Sequence, residues 1–358
     1  MAALLNEHSQ NEAPLIARNW VKILAQYREP NTVRSVFELL VTLIPFLSLW
    51  SLAWWLLTDY PWMAFAVALS NGLFLVRIFI VQHDCSHGGF FKNRRISDWV
   101  GRIFGVLTLT PYDVWQRTHM IHHASSGNLD QRGIGDVYTM TVEEYYSKPF
   151  YGKVLYRLGR HPIILFGLGP LYLFVLQNRL PLGLMSSGVK YWVSAMGTNA
   201  MILASLGLIF LFGGLAPILW IFFPTLCVAA TLGVWLFYVQ HQFEDTHWDT
   251  QEEWQVHDAA LHGSSHYDLP AVLMWFTGNI GIHHVHHLYS RIPFYRLTEV
   301  LRDHPVLASS QQRLTIMQSF RSVKLHLWDS NRRKLVSFAE ARRSRMAAQS
   351  PRTASIIR

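Results

Sequence analysis

The sequence predicts an all-α, polytopic membrane protein with four transmembrane helices in two hairpins and a histidine-rich domain on the cytoplasmic side. Three observations predict it. Hydrophobic residues make up 51% of the 358 positions and charged residues only 15%, against about 25% in soluble domains. The apolar residues are gathered into four long stretches. Finally, 18 histidines stand beside only 2 cysteines, so a disulfide framework or a four-thiolate metal site is out of reach. The same composition excludes a disordered chain.

Residues 1–35 read as a cytoplasmic N-terminal segment. Its "MAALLNEHSQNEAPL" lacks the basic start, apolar run and small-residue cleavage site of a secretory signal. A crossing needs roughly 20 apolar residues. The stretch 36–57 meets that length with one charge, Glu38, and 62–81 with one, Arg77, while 192–213 and 217–239 carry none. The links "TDYP" and "GLA" allow only tight returns, which pairs the spans into two hairpins. Residues 162–177 (PIILFGLGPLYLFVLQ) fall about one turn short and contain Pro162, Gly167, Gly169 and Pro170, which membrane helices tolerate. A lone full crossing here would invert everything after it, so the segment is read as interfacial or re-entrant.

Basic residues set the orientation. Arg18, Lys22, Arg28 and Arg34 precede the first span, Lys92, Arg94 and Arg95 follow the second, and 14 of the 31 lie beyond position 290. Neither short link has one. The positive-inside rule then puts both termini and the loop after residue 81 in the cytoplasm. It also accounts for the net charge of +8 without a nucleic-acid partner. Residues 36–300 form the membrane domain. Residues 301–358 form a basic cytoplasmic C-terminal segment, whose tail 309–358 is read as a solvated helix or disordered tail, with attraction to anionic lipid headgroups as the alternative.

Half of the histidines fall in three clusters: "HDCSH" (His83, His87), "HMIHH" (His119, His122, His123) and "HHVHH" (His283 to His287). On a helix, residues three and four apart share a face. The pair His83/His87 is i, i+4; His119/His122/His123 and His283/His286/His287 are both i, i+3, i+4. Each cluster can therefore aim its rings at a common point. His284 sits about 100° off His283 and is left out. All three clusters fall on the cytoplasmic side, and eight imidazoles are too many for one tetrahedral ion. They predict two metals, with imidazole alone unable to choose among Fe, Zn, Cu and Ni. His241 follows the fourth span at the depth of His83 and is a ninth candidate ligand. Metal-bound imidazoles donate their other N–H to a carboxylate, carbonyl or water. Asp84 beside His83, Glu244 one turn after His241 and Asn279 one turn before His283 are the candidates, with Asp113 and Asp136 flanking the second cluster. The other histidines are read as bystanders: His8, His161, His304 and His326 on the surface, and His247, His257, His262 and His266 in the polar stretch before the third cluster.

The order H-x3-H, H-x2-HH, H-x2-HH, interleaved with paired spans, resembles the membrane fatty acid desaturases, and most closely the bacterial and cyanobacterial acyl-lipid type. "VQHDCSHGGFF", "GVLTLTPYDVWQRTHMIHHASSGNLD", "WLFYVQHQFE" and "NIGIHHVHHLYSRIPFYRL" carry the resemblance, which covers roughly residues 70–300. It implies a di-iron centre, O₂ as co-substrate and a long acyl chain, with a cis double bond as product. The ligands it implies are His83, His87, His119, His122, His123, His283, His286 and His287. His241 stands where stearoyl desaturases place a further ligand. A mid-chain methylene is not acidic, so its hydrogen must be taken by metal–oxygen chemistry, and two electrons must come from outside. "RHPI" and "DHPV" are not the haem motif of a fused cytochrome b5, so an external ferredoxin-like donor is expected. Trp115, Tyr112, Trp275 and Phe276 are candidate walls of an acyl tunnel. The expected location is the inner (cytoplasmic) membrane, multi-pass, with the active site facing the cytoplasm.

Two other readings stay open at this point. Alkane and carotenoid hydroxylases use similar histidine boxes, and both chemistries begin with hydrogen abstraction. A metal transporter would be expected to place polar ligands near the bilayer midplane, whereas these histidines lie at or beyond the span ends.

Overall fold

The computed structural model describes residues 17–133, 135–309 and 313–349. His8, with the rest of residues 1–16, and the end of the C-terminal segment, 350–358, lie outside the described residues. The protein is mostly helical, and four helices are long and apolar enough to cross a membrane.

They are α1 (Thr32–Leu56), α2 (Pro61–His87), α6 (Val189–Gly213) and the continuous run Ile218–His241, whose regular part is α7 (Phe223–His241). Between α2 and α6 lie α3 (Arg94–Leu107), α4 (Tyr112–Ser125) and α5 (Phe150–Gly159). The third histidine cluster starts α8 (His283–Leu288). These elements fit the all-α, polytopic membrane fold that the sequence predicts.

Local chemistry sets the helix ends. The Asn31 side chain accepts from Arg34 N–H at 3.1 Å to cap α1. Pro61 opens α2, where its missing N–H costs nothing. Gly88 closes α2 in the left-handed region at φ 69°. α2 therefore runs unbroken from the second span through His83 and His87, and the apolar span and the first histidine pair form one rigid rod.

α2 is also the centre of the packing, with α1 on one side and α7 on another. Small residues allow the close approach to the segment that begins at Ile218. Ala64, Ala68 and Gly72 recur every four positions on α2, and Ala64 and Ala68 are fully buried. A Cβ on Gly72 would lie 2.6 Å from Val228 Cβ, and Thr225 Oγ1 donates to the Ala68 carbonyl at 2.9 Å. Membrane helices associate through such small faces and interhelical hydrogen bonds. Arg77 and Glu38, the charges of the first two spans, are buried and paired, with the Arg77 guanidinium stacked 4.0 Å from the Trp275 ring.

The segment 162–177 continues as a helical run bent 58° from α5. π turns at Ile164–Leu168 and Tyr172–Leu176 flank Pro170, whose ring removes a backbone donor.

The C-terminal segment departs from the solvated or disordered tail expected. Strand β1 (Met140–Thr141) pairs in parallel with β4 (Leu327–Asp329), and β4 pairs antiparallel with β5 (Lys334–Val336). A second pair joins β2 (His266–Tyr267) to β3 (Arg313–Leu314). Tyr238 Oη donates to the Ser322 carbonyl at 2.8 Å, and Arg160 Nη2 to the Leu325 carbonyl at 2.8 Å. The sequence pattern missed this docking because the strands are two or three residues long, and its buried anchors Leu327, Trp328, Leu335 and Val336 sit among basic residues.

Candidate metal centre

Four helices deliver histidines to one place. His83 and His87 end α2, His119, His122 and His123 lie in α4, His241 ends α7, and His283, His286 and His287 lie in α8. Their ring nitrogens form two groups, each within 4.8 Å: His83, His87, His119, His123 and His286 in one; His122, His241, His283 and His287 in the other.

The expectation that each cluster aims at a common point is corrected by this division. In α4 the i, i+4 pair His119/His123 goes to the group of five and His122 to the group of four. In α8 the assignment reverses: His283/His287 go to the group of four and His286 to the group of five. The i, i+3, i+4 pattern is wide enough to face two centres at once, about 40° separating i from i+4 and about 60° separating i from i+3. The groups touch where the His123 and His287 rings stack at 4.1 Å.

Distances within each group suit metal ligation. His241 Nε2 lies 3.1 Å from His122 Nε2 and 3.0 Å from His283 Nε2. His123 Nε2 lies 3.1 Å from both His119 Nε2 and His286 Nε2. Two nitrogens held tetrahedrally at about 2.0–2.1 Å from an ion would be about 3.3 Å apart. The Nε2 atoms of His83, His87 and His287 are buried without a hydrogen-bond partner. Buried polar atoms are normally satisfied, and a cation would satisfy these. Burial, reinforced by the neighbouring imidazoles, holds His119, His123, His283, His286 and His287 well below the ordinary histidine range. They are neutral near pH 7, the form that binds metal.

Several rings are oriented from behind. Asp84 Oδ1 lies 3.1 Å from His83 Nδ1, while Asp84 Oδ2 accepts from Phe294 N–H at 2.6 Å. Asp136 Oδ1 lies 2.5 Å from His122 Nδ1. His241 Nδ1 faces the Gly263 carbonyl at 3.4 Å and Ser126 Oγ at 3.5 Å.

Other expected partners sit elsewhere. Glu244 pairs with Lys334 at 2.7 Å, because α7 stops at His241 and the chain turns away before a further helical turn forms. Asn279 precedes α8 in a left-handed turn with Gly278, both at φ 54°, and donates to the Phe294 carbonyl at 3.3 Å. Asp113 binds Arg102 through two 3.0 Å contacts and Lys190 at 3.1 Å. His284 faces the Leu307 carbonyl at 3.1 Å, consistent with its exclusion from the set.

A cavity of about 1200 Å³ reaches His83, His119 and His283, larger than the roughly 300–1,000 Å³ of ordinary small-molecule sites. Phe79, Val76, Phe174, Leu226 and Phe237 line it, as does Trp115. The other expected wall residues do not. Tyr112 packs into the space left by Gly101 and donates to Asp98 at 2.8 Å, while Trp275 and Phe276 pack on Phe74. Apolar residues of α2 and α7 gave no signal in sequence that distinguished cavity walls from ordinary span residues.

Comparison with known proteins agrees with this geometry. The family model described as fatty acid desaturase matches residues 60–316. The chain is 42% identical over 317 residues to a fatty acid desaturase of Bacillus subtilis, covering 88% of this chain and 89% of that one. It is 28% identical over 256 residues to the sn-1 acyl-lipid omega-3 desaturase (ferredoxin) of Synechocystis, covering 67% of each. It is 26% identical over 281 residues to the sn-1 oleoyl-lipid 12-desaturase of Anabaena variabilis, covering 69% of this chain and 70% of the other. The chain belongs to the fatty acid desaturase family, and is an oxidoreductase that desaturates acyl chains.

Proposed function

We propose that the protein inserts a cis double bond into the acyl chain of a membrane lipid, using two irons held by the nine histidines of the two groups. The observation that carries this reading is the meeting of both groups with one large, mainly apolar cavity in a chain with four apolar helices. Iron, when bound, supplies activation of O₂ for hydrogen abstraction from an unactivated methylene. The balance is two hydrogens from adjacent carbons, two electrons and two protons against one O₂, giving two waters.

The protein's own share is position and exclusion of water. The walls at Phe79, Val76 and Phe237 present no polar group to compete for a hydrocarbon chain. Asp84 and Asp136 fix the His83 and His122 rings with Nε2 directed inwards. Two electrons reach the centre from an external carrier of the ferredoxin type, in keeping with the name of the Synechocystis relative. The positive-inside distribution supports an inner-membrane protein with its centre on the cytoplasmic face, where exposed arginines attract an acidic donor.

Gas chromatography of fatty acids from a host lacking its own desaturase tests the reading. A new double bond should appear with the intact chain and vanish with His119→Ala or His286→Ala. An alcohol in place of an alkene would convert the assignment to a hydroxylase.

A further inference from the structure

Among the described residues, the lining of the cavity reaches the outside almost without charge. Its exposed members are mainly aromatic and aliphatic, including Tyr138, Tyr151, Leu155, Tyr172, Leu180 and Leu182; Gln177 is polar, and only one exposed lining residue, Lys148, is charged. An opening that receives a solute from water needs a polar rim, since large exposed apolar patches are unfavourable there. Hydrocarbon matches this rim instead.

α5 carries the second observation. Phe150 and Leu155 are 83% and 65% exposed, with Tyr151 and Leu158 beside them on the surface. Its two cations each lie over an aromatic ring, Lys153 partly buried and Arg157 still exposed. Lys153 lies 5.8 Å over the Tyr146 ring and Arg157 4.5 Å over the Phe338 ring, with Arg157 Nε donating to Tyr145 Oη at 2.7 Å. A helix facing water would turn its cations out and its apolar face in. A helix lying in a membrane interface keeps its apolar face among acyl chains. Tyr151, Gly152, Leu155 and Tyr156 of the same helix are cavity wall, so the outward apolar surface and the cavity meet along α5.

We propose that the cavity opens sideways into the bilayer, and that the acyl chain of a membrane lipid enters past α5 while its head group stays at the surface beside Lys148. This rests on the reading that the cavity holds the acyl substrate. A chain drawn from the bilayer passes from one apolar medium to another, whereas one delivered on a soluble carrier would cross an apolar rim from water.

The test uses the full chain in phosphatidylglycerol vesicles containing a small share of lipid with a mid-chain diazirine, followed by mapping of photo-crosslinked peptides. Crosslinks are expected at the interior positions Trp115, Leu226 and Phe237 as well as on the outer faces of α1 and α6. Leu155→Glu should lower interior relative to outer crosslinking at least fivefold, and Leu155→Phe should preserve it. Crosslinks confined to outer faces overturn the proposal. So does interior labelling by an acyl thioester added from water when the lipid probe gives none. Double bonds in the unlabelled lipid are measured separately: interior crosslinks with no double bond break the acyl-lipid substrate reading and leave the lateral entrance standing.

Discussion

Around His241, imidazole nitrogen faces imidazole nitrogen at 3.0 and 3.1 Å. Around His247, on the polar shell a few residues later, the ring instead faces carboxylates: Asp249 at 2.7 Å and Asp258 at 3.3 Å, with Arg333 also on Asp249. His247, Asp249 and Asp258 also lie close enough together to hold a metal ion, but the shell mixes acidic and basic side chains. The centre has no acidic residue within either histidine group; its carboxylates, Asp84 and Asp136, sit behind the His83 and His122 rings. Several ring nitrogens of the two groups have no hydrogen-bond partner. The same side chain thus faces carboxylates in one region and other imidazoles in the other. What separates them is the company the fold provides.

The largest test of that contrast is alanine at His241 or His286 against alanine at His247. The first two should abolish the new double bond and lower iron content per chain, measured by elemental analysis. His247→Ala should keep product within roughly twofold, as surface substitutions do. Equal losses at all three would erase the distinction between centre and shell.

Asp136→Asn comes next. A carboxylate behind a ligating ring is worth roughly 10–100-fold in metal affinity or activity, and a loss in that range is expected in iron titration and in product yield. Asp84→Asn should fall alongside it. Glu244→Gln, whose carboxylate binds Lys334, should cost no more than about 1 kcal/mol of stability and leave product yield unchanged. A Glu244 effect matching that of Asp136 would return Glu244 to the centre.

The smallest effect concerns pH in the docked C-terminal segment. Burial, with Arg160 and Arg157 nearby, lowers His326 to about 4 from its ordinary 6.5, and its ring stacks 4.3 Å from Phe338. The folded value lies below the unfolded one. The stability that His326 contributes is therefore present above about pH 6.5 and lost as pH falls towards 4. Limited proteolysis of residues 313–349 should accelerate across that window. His326→Phe, which keeps the stack, should flatten the profile.

Much of the centre was legible in the sequence because its spacing is helical. His83 and His87 sit on the continuation of a membrane span, and the i, i+3, i+4 repeats of the other clusters name the rings that face inwards. His241 was legible by its depth after the fourth span and by its match to the further histidine of stearoyl desaturases. Glu244 and Asn279 were misread for one shared reason: a partner one turn away exists only where the helix continues, and neither α7 nor α8 does. The opposite error hid the C-terminal docking, since two- and three-residue strands leave no period to detect.

The sequence by itself determined that this is a four-span helical protein with imidazoles clustered at the span ends, because hydropathy and helical periodicity are local properties of a chain. Only the tertiary structure decided how those imidazoles divide. It drew the two groups from α2, α4, α7 and α8, gave His122 its carboxylate 14 residues away, and left a cavity between helices whose walls look like any other span residues. Spacing fixes which face a side chain occupies. What meets that face is set by the packing of helices far apart in the chain.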